Sequence, residues 1–117
     1  MTHRQQRAAK AVTAAAILAA FCSTLVPQAG RSAVPPGEKL FENNNCITCH
    51  AIDHKVVGPS FEDVAKKFAG QKDAVLTPID AIKNGHVGTW GVVPMPPHPN
   101  LPASEIKTIV DWILSLK

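Results

Sequence analysis

Cys46-Ile47-Thr48-Cys49-His50 is the stretch that most narrows what this chain can become. Two thiols three positions apart lie on one face of a helical turn, and the next residue turns its imidazole toward the same side. Cys-x-x-Cys-His is the attachment pattern of c-type haem, in which the thiols bond the two vinyl groups of one porphyrin and the histidine meets the iron. The rest of the chain needs such a staple. Cys22 lies in an apolar leader, so Cys46 and Cys49 are the two cysteines left to the domain. A disulfide between them would close too short a loop to hold distant segments together. A domain of roughly 80 to 90 residues, meanwhile, gains only marginal stability from its own apolar surface. A thiol redox pair and a structural zinc site are the competing readings of the motif. The first wants a βαβ setting that no strongly alternating or β-branched run here provides. The second wants two separated ligand pairs, and no second pair follows.

The leader consists of His3, Arg4, Arg7 and Lys10, then an apolar or small-residue run from Ala11 to Val26. This is the n-region and h-region of a secretory signal. The run falls short of the roughly 20 residues of a membrane-spanning helix. Residues 1–33 are therefore expected to be removed, with cleavage between 29 and 34, and 34–117 to form the domain; an uncleaved anchor is the alternative. Cys22, preceded by Ala20 and Phe21, makes a poor lipidation site and is expected to leave with the signal. Arg4, Arg7 and Lys10 take three of the 12 basic residues and none of the 9 acidic ones, so the domain is near neutral. With no basic run interleaved with aromatics, it has no nucleic-acid signature.

A haem iron needs a sixth ligand or an open site, and that choice separates electron transfer from oxygen chemistry. Met95 is the methionine left once Met1 is set aside, and it stands between Pro94 and Pro96-Pro97. Prolines fix φ and pre-order the loop, which a thioether serving only as core filler would not require.

Helical spacing points to an all-α domain. Pro36 or Gly37 opens a helix with Leu40 and Phe41 inward, ending in Asn43-Asn44-Asn45. Ser60 caps a second helix bearing Phe61, Val64, Ala65 and Phe68 and stopped by Gly70. Thr77 is expected to cap a third, with Pro78 in its first turn, Ile79 and Ile82 buried, and Gly85 in the left-handed C-terminal position. From Gly85 to Leu101, glycine and proline predict an irregular loop carrying Met95 across one face of a porphyrin. A last helix begins near Ser104, with Glu105 in its first turn and Ile106, Ile109, Val110, Ile113 and Leu116 as its buried stripe.

Several stretches together carry a family resemblance: Cys46 to Asp53, Val57-Gly58-Pro59, Val64 to Gly70, Ile82-Lys83-Asn84-Gly85, Trp90 to Pro97, and Trp112 to Ser115. From about Gly37 to Lys117 the chain resembles class I c-type cytochromes, specifically the small bacterial monohaem cytochrome c-551 type. The resemblance implies an all-α class I cytochrome c fold of about four short helices wrapped around one covalent haem c. The N- and C-terminal helices would cross, with Gly37 and Phe41 against Trp112. It implies His50 and Met95 as axial ligands, the Pro59 carbonyl as acceptor for the other nitrogen of His50, and a Trp90 indole N–H offered to a haem propionate. Two positions depart from the family, which often has a basic residue at Ala81 and an asparagine at His98. His98 is expected as an exposed loop residue, with an influence on the surroundings of Met95 as the alternative.

By the same resemblance the protein is a periplasmic electron carrier and not an enzyme, a monomer without stable membrane insertion. Its donor would be a membrane or periplasmic protein, and its acceptor a nitrite reductase or terminal oxidase; a substrate dehydrogenase is another candidate partner. Docking is expected at the haem edge, on Ile47, Thr48, Val56, Val93, Pro96 and Pro97 with Lys55 at the border. A haem-based sensor or peroxidase is the alternative class. His54 and His86 are expected to be exposed, and Lys66 and Lys67 to form a solvated helix face.

Overall fold

The computed structural model describes residue 30 and residues 32–117. The expected signal over 1–33 therefore lies outside the described residues except at its last positions. Four helices follow in order: α1 (Pro36–Asn43), α2 (Phe61–Phe68), α3 (Leu76–Asn84) and α4 (Ala103–Ser115), with a 3₁₀ turn at Cys46–Thr48. The domain is all-α, as the periodicity predicts, and no described helix is long and apolar enough to cross a membrane.

The ends of the helices follow from local chemistry. Pro36 sits in the first turn of α1, where a missing N–H costs nothing. At its other end the Asn44 amide donates to the Leu40 carbonyl at 2.9 Å. Asn45 then takes φ +59°, a left-handed conformation that asparagine tolerates, and turns the chain into the cysteine segment. Ser60 caps α2 as expected, its hydroxyl accepting from the Asp63 N–H at 3.1 Å. Glu62 and Asp63 in the first turn and Lys66 and Lys67 in the last complement the helix dipole.

α3 differs from the sequence expectation. It begins at Leu76, a residue before the expected Thr77 cap, because the preceding turn already has Val75 in a right-handed helical conformation. The Thr77 N–H is taken by the Asp73 carbonyl at 3.1 Å. Pro78 is the buried residue of this helix, while Ile79 and Ile82 are half-buried. Gly85 ends the helix with φ +81° but ψ 164°, outside the left-handed helical well and open essentially to glycine alone.

α4 is the central element and packs on each of the other three helices. Its Ile106, Ile109, Val110, Trp112 and Ile113 are buried, whereas Leu116 lies past the helix end and is half-buried. Phe41, Phe61 and Trp112 form an aromatic triad with centroid separations of 5.0, 5.8 and 5.7 Å. Where α1 crosses α4, Gly37 is buried, and a Cβ there would fall onto Trp112 Cβ and 2.8 Å from the Thr108 carbonyl oxygen.

Gly37→Ala sets two effects against each other. Helix propensity favours alanine by roughly 1 kcal/mol, while overpacking a fitted contact costs about 1–3 kcal/mol. The Thr108 carbonyl belongs to the α4 backbone and yields little, so net destabilisation is expected in denaturant unfolding of the holoprotein. A gain in stability would show that the crossing relaxes.

Candidate functional site

The cysteine segment is a single tight turn made by local bonds. The Cys46 carbonyl accepts from the N–H groups of Cys49 at 3.1 Å and His50 at 2.9 Å. The Cys49 carbonyl in turn accepts from Gly58 at 2.8 Å and Val57 at 3.2 Å, folding the 51–59 loop back onto the turn. Phe61 and Glu62 donate to the carbonyls of Ala51 and Ile52, both at 3.0 Å, and this joins the loop to the start of α2.

His50 is held from three sides. Its Nδ1 is 2.8 Å from the Pro59 carbonyl oxygen, which can only accept, so Nδ1 carries the proton and Nε2 is the nitrogen left with a lone pair. The ring is stacked on Phe61 at 5.2 Å and 24°. A Cβ on Gly58 would fall onto the ring at Cε1, 2.8 Å from Nδ1, so the backbone approaches this closely only because residue 58 is glycine. His50 is 9% exposed.

A cavity of about 400 Å³ opens beside this imidazole. Its wall is mostly apolar and brings together Cys46, Cys49, His50, Gly58, Pro59, Phe61, Ala81, Trp90 and Met95, with His86 and His98 also upon it. Both thiols are half-buried and free. Burial pushes the Cys46 thiol above its usual range; its own backbone N–H opposes this, and nearby Cys49 adds to the rise. A nucleophilic redox pair needs the opposite shift, toward thiolate. Among the described residues no group of three or more His, Cys, Asp or Glu side chains could hold a metal ion.

Met95 arrives on a loop that is more regular than its glycines and prolines suggest. Met95 N–H donates to the His86 carbonyl at 2.8 Å, and His86 N–H returns to the Met95 carbonyl at 3.1 Å, forming an antiparallel bridge. Gly88 N–H to the Gly91 carbonyl at 3.0 Å ties the turn beyond it. Gly85 allows the approach, for a Cβ there would lie 2.9 Å from the Met95 carbonyl oxygen.

The family model for cytochrome c matches residues 34–117. The chain belongs to the cytochrome c family. It is 50% identical over 80 residues to cytochrome c-551 of Pseudomonas aeruginosa, covering 68% of this chain and 76% of that one. Over 78 residues it is 46% identical to cytochrome c-552 of Nitrosomonas europaea, 67% of this chain and 76% of that one. The crystal structure of the wild-type Nitrosomonas europaea cytochrome c552 superposes with a TM-score of 0.65 at 46% identity, covering 68% of this chain and 98% of that one. This cytochrome is a small class I member with the all-α cytochrome c fold, a monohaem electron carrier with covalently bound haem c.

The residues present fit that group. The cavity lies within the ~300–1,000 Å³ of cofactor sites, and both thiols and the imidazole face it together. His98 also lines it, with its Nδ1 covered by the protein and without a hydrogen-bond partner.

Two expectations need correction. His98 is not an exposed loop residue: it is half-buried on the cavity wall. His86 is also half-buried there, its Nε2 on Thr89 Oγ1 at 2.6 Å. Lys66 and Lys67 are exposed, as expected, Lys66 paired with Glu62 at 3.6 Å and the Lys67 ammonium 5.5 Å from the Trp90 ring centroid, a cation–π contact. His54 is exposed, as expected, bonded to Asp53 at 2.7 Å. The sequence had no periodic signal for either correction: His86 bonds Thr89 three residues on and pairs with Met95, and His98 is held by the Ile82 carbonyl.

Gly58→Ala is expected to drive the imidazole off the Pro59 carbonyl, because residue 58 is itself held by the Cys49 carbonyl and cannot retreat. Nuclear magnetic resonance of the holoprotein should show the His50 Nδ1 proton losing its hydrogen bond, with stability lower by about 1–3 kcal/mol. An unmoved ring would mean that the 51–59 loop gives way instead.

Proposed function

We propose that this cytochrome is a periplasmic, monomeric one-electron shuttle whose haem is attached through Cys46 and Cys49 and ligated by His50 and Met95. The observation that carries the reading is one cavity wall presenting both thiols, an imidazole already oriented by Pro59, and Met95 on a loop tied to His86. Bound there, the haem supplies an iron that takes up and gives back one electron.

The chain's own groups set the terms of that exchange. The Pro59 carbonyl holds the His50 tautomer and strengthens Nε2 as a donor. A thioether opposite an imidazole favours the reduced state and closes the iron to small ligands. That closure argues for a carrier over the sensor or peroxidase alternative. The Trp90 indole, on the wall with Lys67 over its ring, is suited to meet a haem propionate and cover its charge.

Docking is proposed at the rim formed by Ile47, Thr48, Val56, Val93, Pro96 and Pro97, with Lys55 at its border. All of these are exposed, Ile47 at 57% and Val93 at 61%, and neighbouring Val92 reaches 91%. A small apolar rim with few fixed ion pairs suits short-lived encounters. Partners of the proposed kind are a membrane or periplasmic donor, with a substrate dehydrogenase as another candidate, and an acceptor such as a nitrite reductase or terminal oxidase. Export is supported by the basic and apolar pattern of residues 1–33, proposed to be a cleaved signal preceding the 34–117 domain.

Absorption of the exported protein tests the ligation. The oxidised form should show the weak far-red band of methionine–iron bonding, and the reduced form sharp α and β bands without carbon monoxide binding. Met95→Ala should lose the far-red band and admit carbon monoxide; an unchanged spectrum would remove Met95 as ligand.

A further inference from the structure

From Val87 to Pro94 every residue is exposed except Trp90. Gly88 and Gly91 flank it at φ +102° and +131°, and a Cβ on either would meet nothing within 4 Å. Two bonds close the turn, Gly88 N–H on the Gly91 carbonyl at 3.0 Å and the His86 ring on Thr89 at 2.6 Å. Both lie inside the segment, so they fix its shape and leave its tip without packing of its own. Glycine backbone in open space adds no steric restraint. The placement of the indole on the cavity wall therefore depends on what the ring itself touches.

Over that ring stands the Lys67 ammonium, 5.5 Å from its centroid. Lys67 belongs to the last turn of α2, next to the buried Phe68, and its carbonyl accepts from the Gln71 side-chain amide. Lys66 beside it pairs with Glu62 at 3.6 Å, but among the described residues no carboxylate pairs with Lys67. Its cation is thus given to the π face. Val64 and Phe68 of α2 line the cavity with Trp90, whereas Lys67 does not, so the ammonium meets the ring from outside. Whatever Lys67 does to a group bound in the cavity, it does through Trp90.

We propose that Lys67 is a positioning residue: its ammonium pins the Trp90 indole at the place on the cavity wall where the indole meets a haem propionate. The ring's quadrupole draws a cation to its face and leaves the N–H at its edge free to donate. A tip that glycines leave loose is thereby tied to a helix whose buried side is part of the core, and the tie joins two sides of the cavity across 23 positions of sequence, from Lys67 to Trp90. The inference rests on the reading of Trp90 as a propionate donor.

The test follows the Trp90 indole N–H in the reduced holoprotein by nuclear magnetic resonance. An exposed cation–π contact is worth about a two- to fivefold change in an opening equilibrium, and exchange of this proton with solvent should speed up by that factor in Lys67→Gln. Lys66→Gln, which removes an equal charge one residue away, should leave the rate unchanged, and Lys67→Arg, which keeps a cation for the ring, should restore it. An unchanged rate in Lys67→Gln, or the same acceleration in both glutamine variants, overturns the proposal. A double-mutant cycle separates positioning from the field of the charge. Lys67→Gln should lower the midpoint potential more in the native background than in Trp90→Leu, because a propionate that loses its donor stabilises the oxidised iron. An equal fall in both backgrounds means that the ammonium acts by its field alone, and this also overturns the proposal. Failure of the Trp90 reading shows separately, as Overhauser contacts between the indole N–H and the propionate methylene protons absent from the unsubstituted protein.

Discussion

Phe61 is shared between the core and the site, and the stacking of its ring joins the two. One edge meets Phe41 from α1 and another meets Trp112 from α4, while a face lies against His50. The ring is 5% exposed and opens the helix that Ser60 caps. A displacement where α1 and α4 cross is therefore passed through three rings to the imidazole. Close-packed interiors transmit strain in this way because neighbouring side chains have no free volume into which to move. The orientation of the His50 ring is thus shared between the hydrophobic core and the Gly58-Pro59 backbone.

The Met95 side of the cavity is built on the opposite plan. Few large buried side chains lie between Gly85 and Leu101, and order comes from the backbone: prolines that restrict φ, glycines at positive φ, and the reciprocal His86–Met95 bonds. Restricting the unfolded chain lowers the entropy lost on ordering such a loop. The two walls of one cavity are held by different physical means, aromatic packing on one side and chain stiffness on the other.

Much of this was legible in the sequence because it is local. The Cys46-to-His50 motif, the Ser60 cap, the stripe of α4 and the isolation of Met95 among prolines all reside in short windows; the structure brings Cys46, Cys49, His50 and Met95 to one cavity wall, caps α2 with Ser60, and buries the stripe except for Leu116. Gly37 against Trp112 came from family resemblance rather than spacing. Other features lie in no window. Thr77 reads as a cap, but the turn preceding it already supplies a helical residue and a carbonyl for its N–H. His98 reads as exposed because polar residues flanked by prolines commonly are, and its burial depends on the Ile82 carbonyl in another element. Lys67 reads as part of a solvated face and is exposed there; its reach to the Trp90 ring is what no window shows. Thr77 is decided within its own turn, whereas His98 is placed by a segment remote in sequence.

The crossing of the first and last helices also bears on the order in which the domain can assemble. Phe41 and Phe61 have no Trp112 to close over them until the final helix is present, so the longest loop closure spans almost the entire domain. The hydrogen bonds of the Cys46–His50 turn, in contrast, join near neighbours, although Cys46 itself packs against a core that includes Ile109, Trp112 and Ile113 of α4. Closing the thiol-bearing turn therefore costs little chain entropy, and the larger entropic cost falls on the crossing of the domain's two ends.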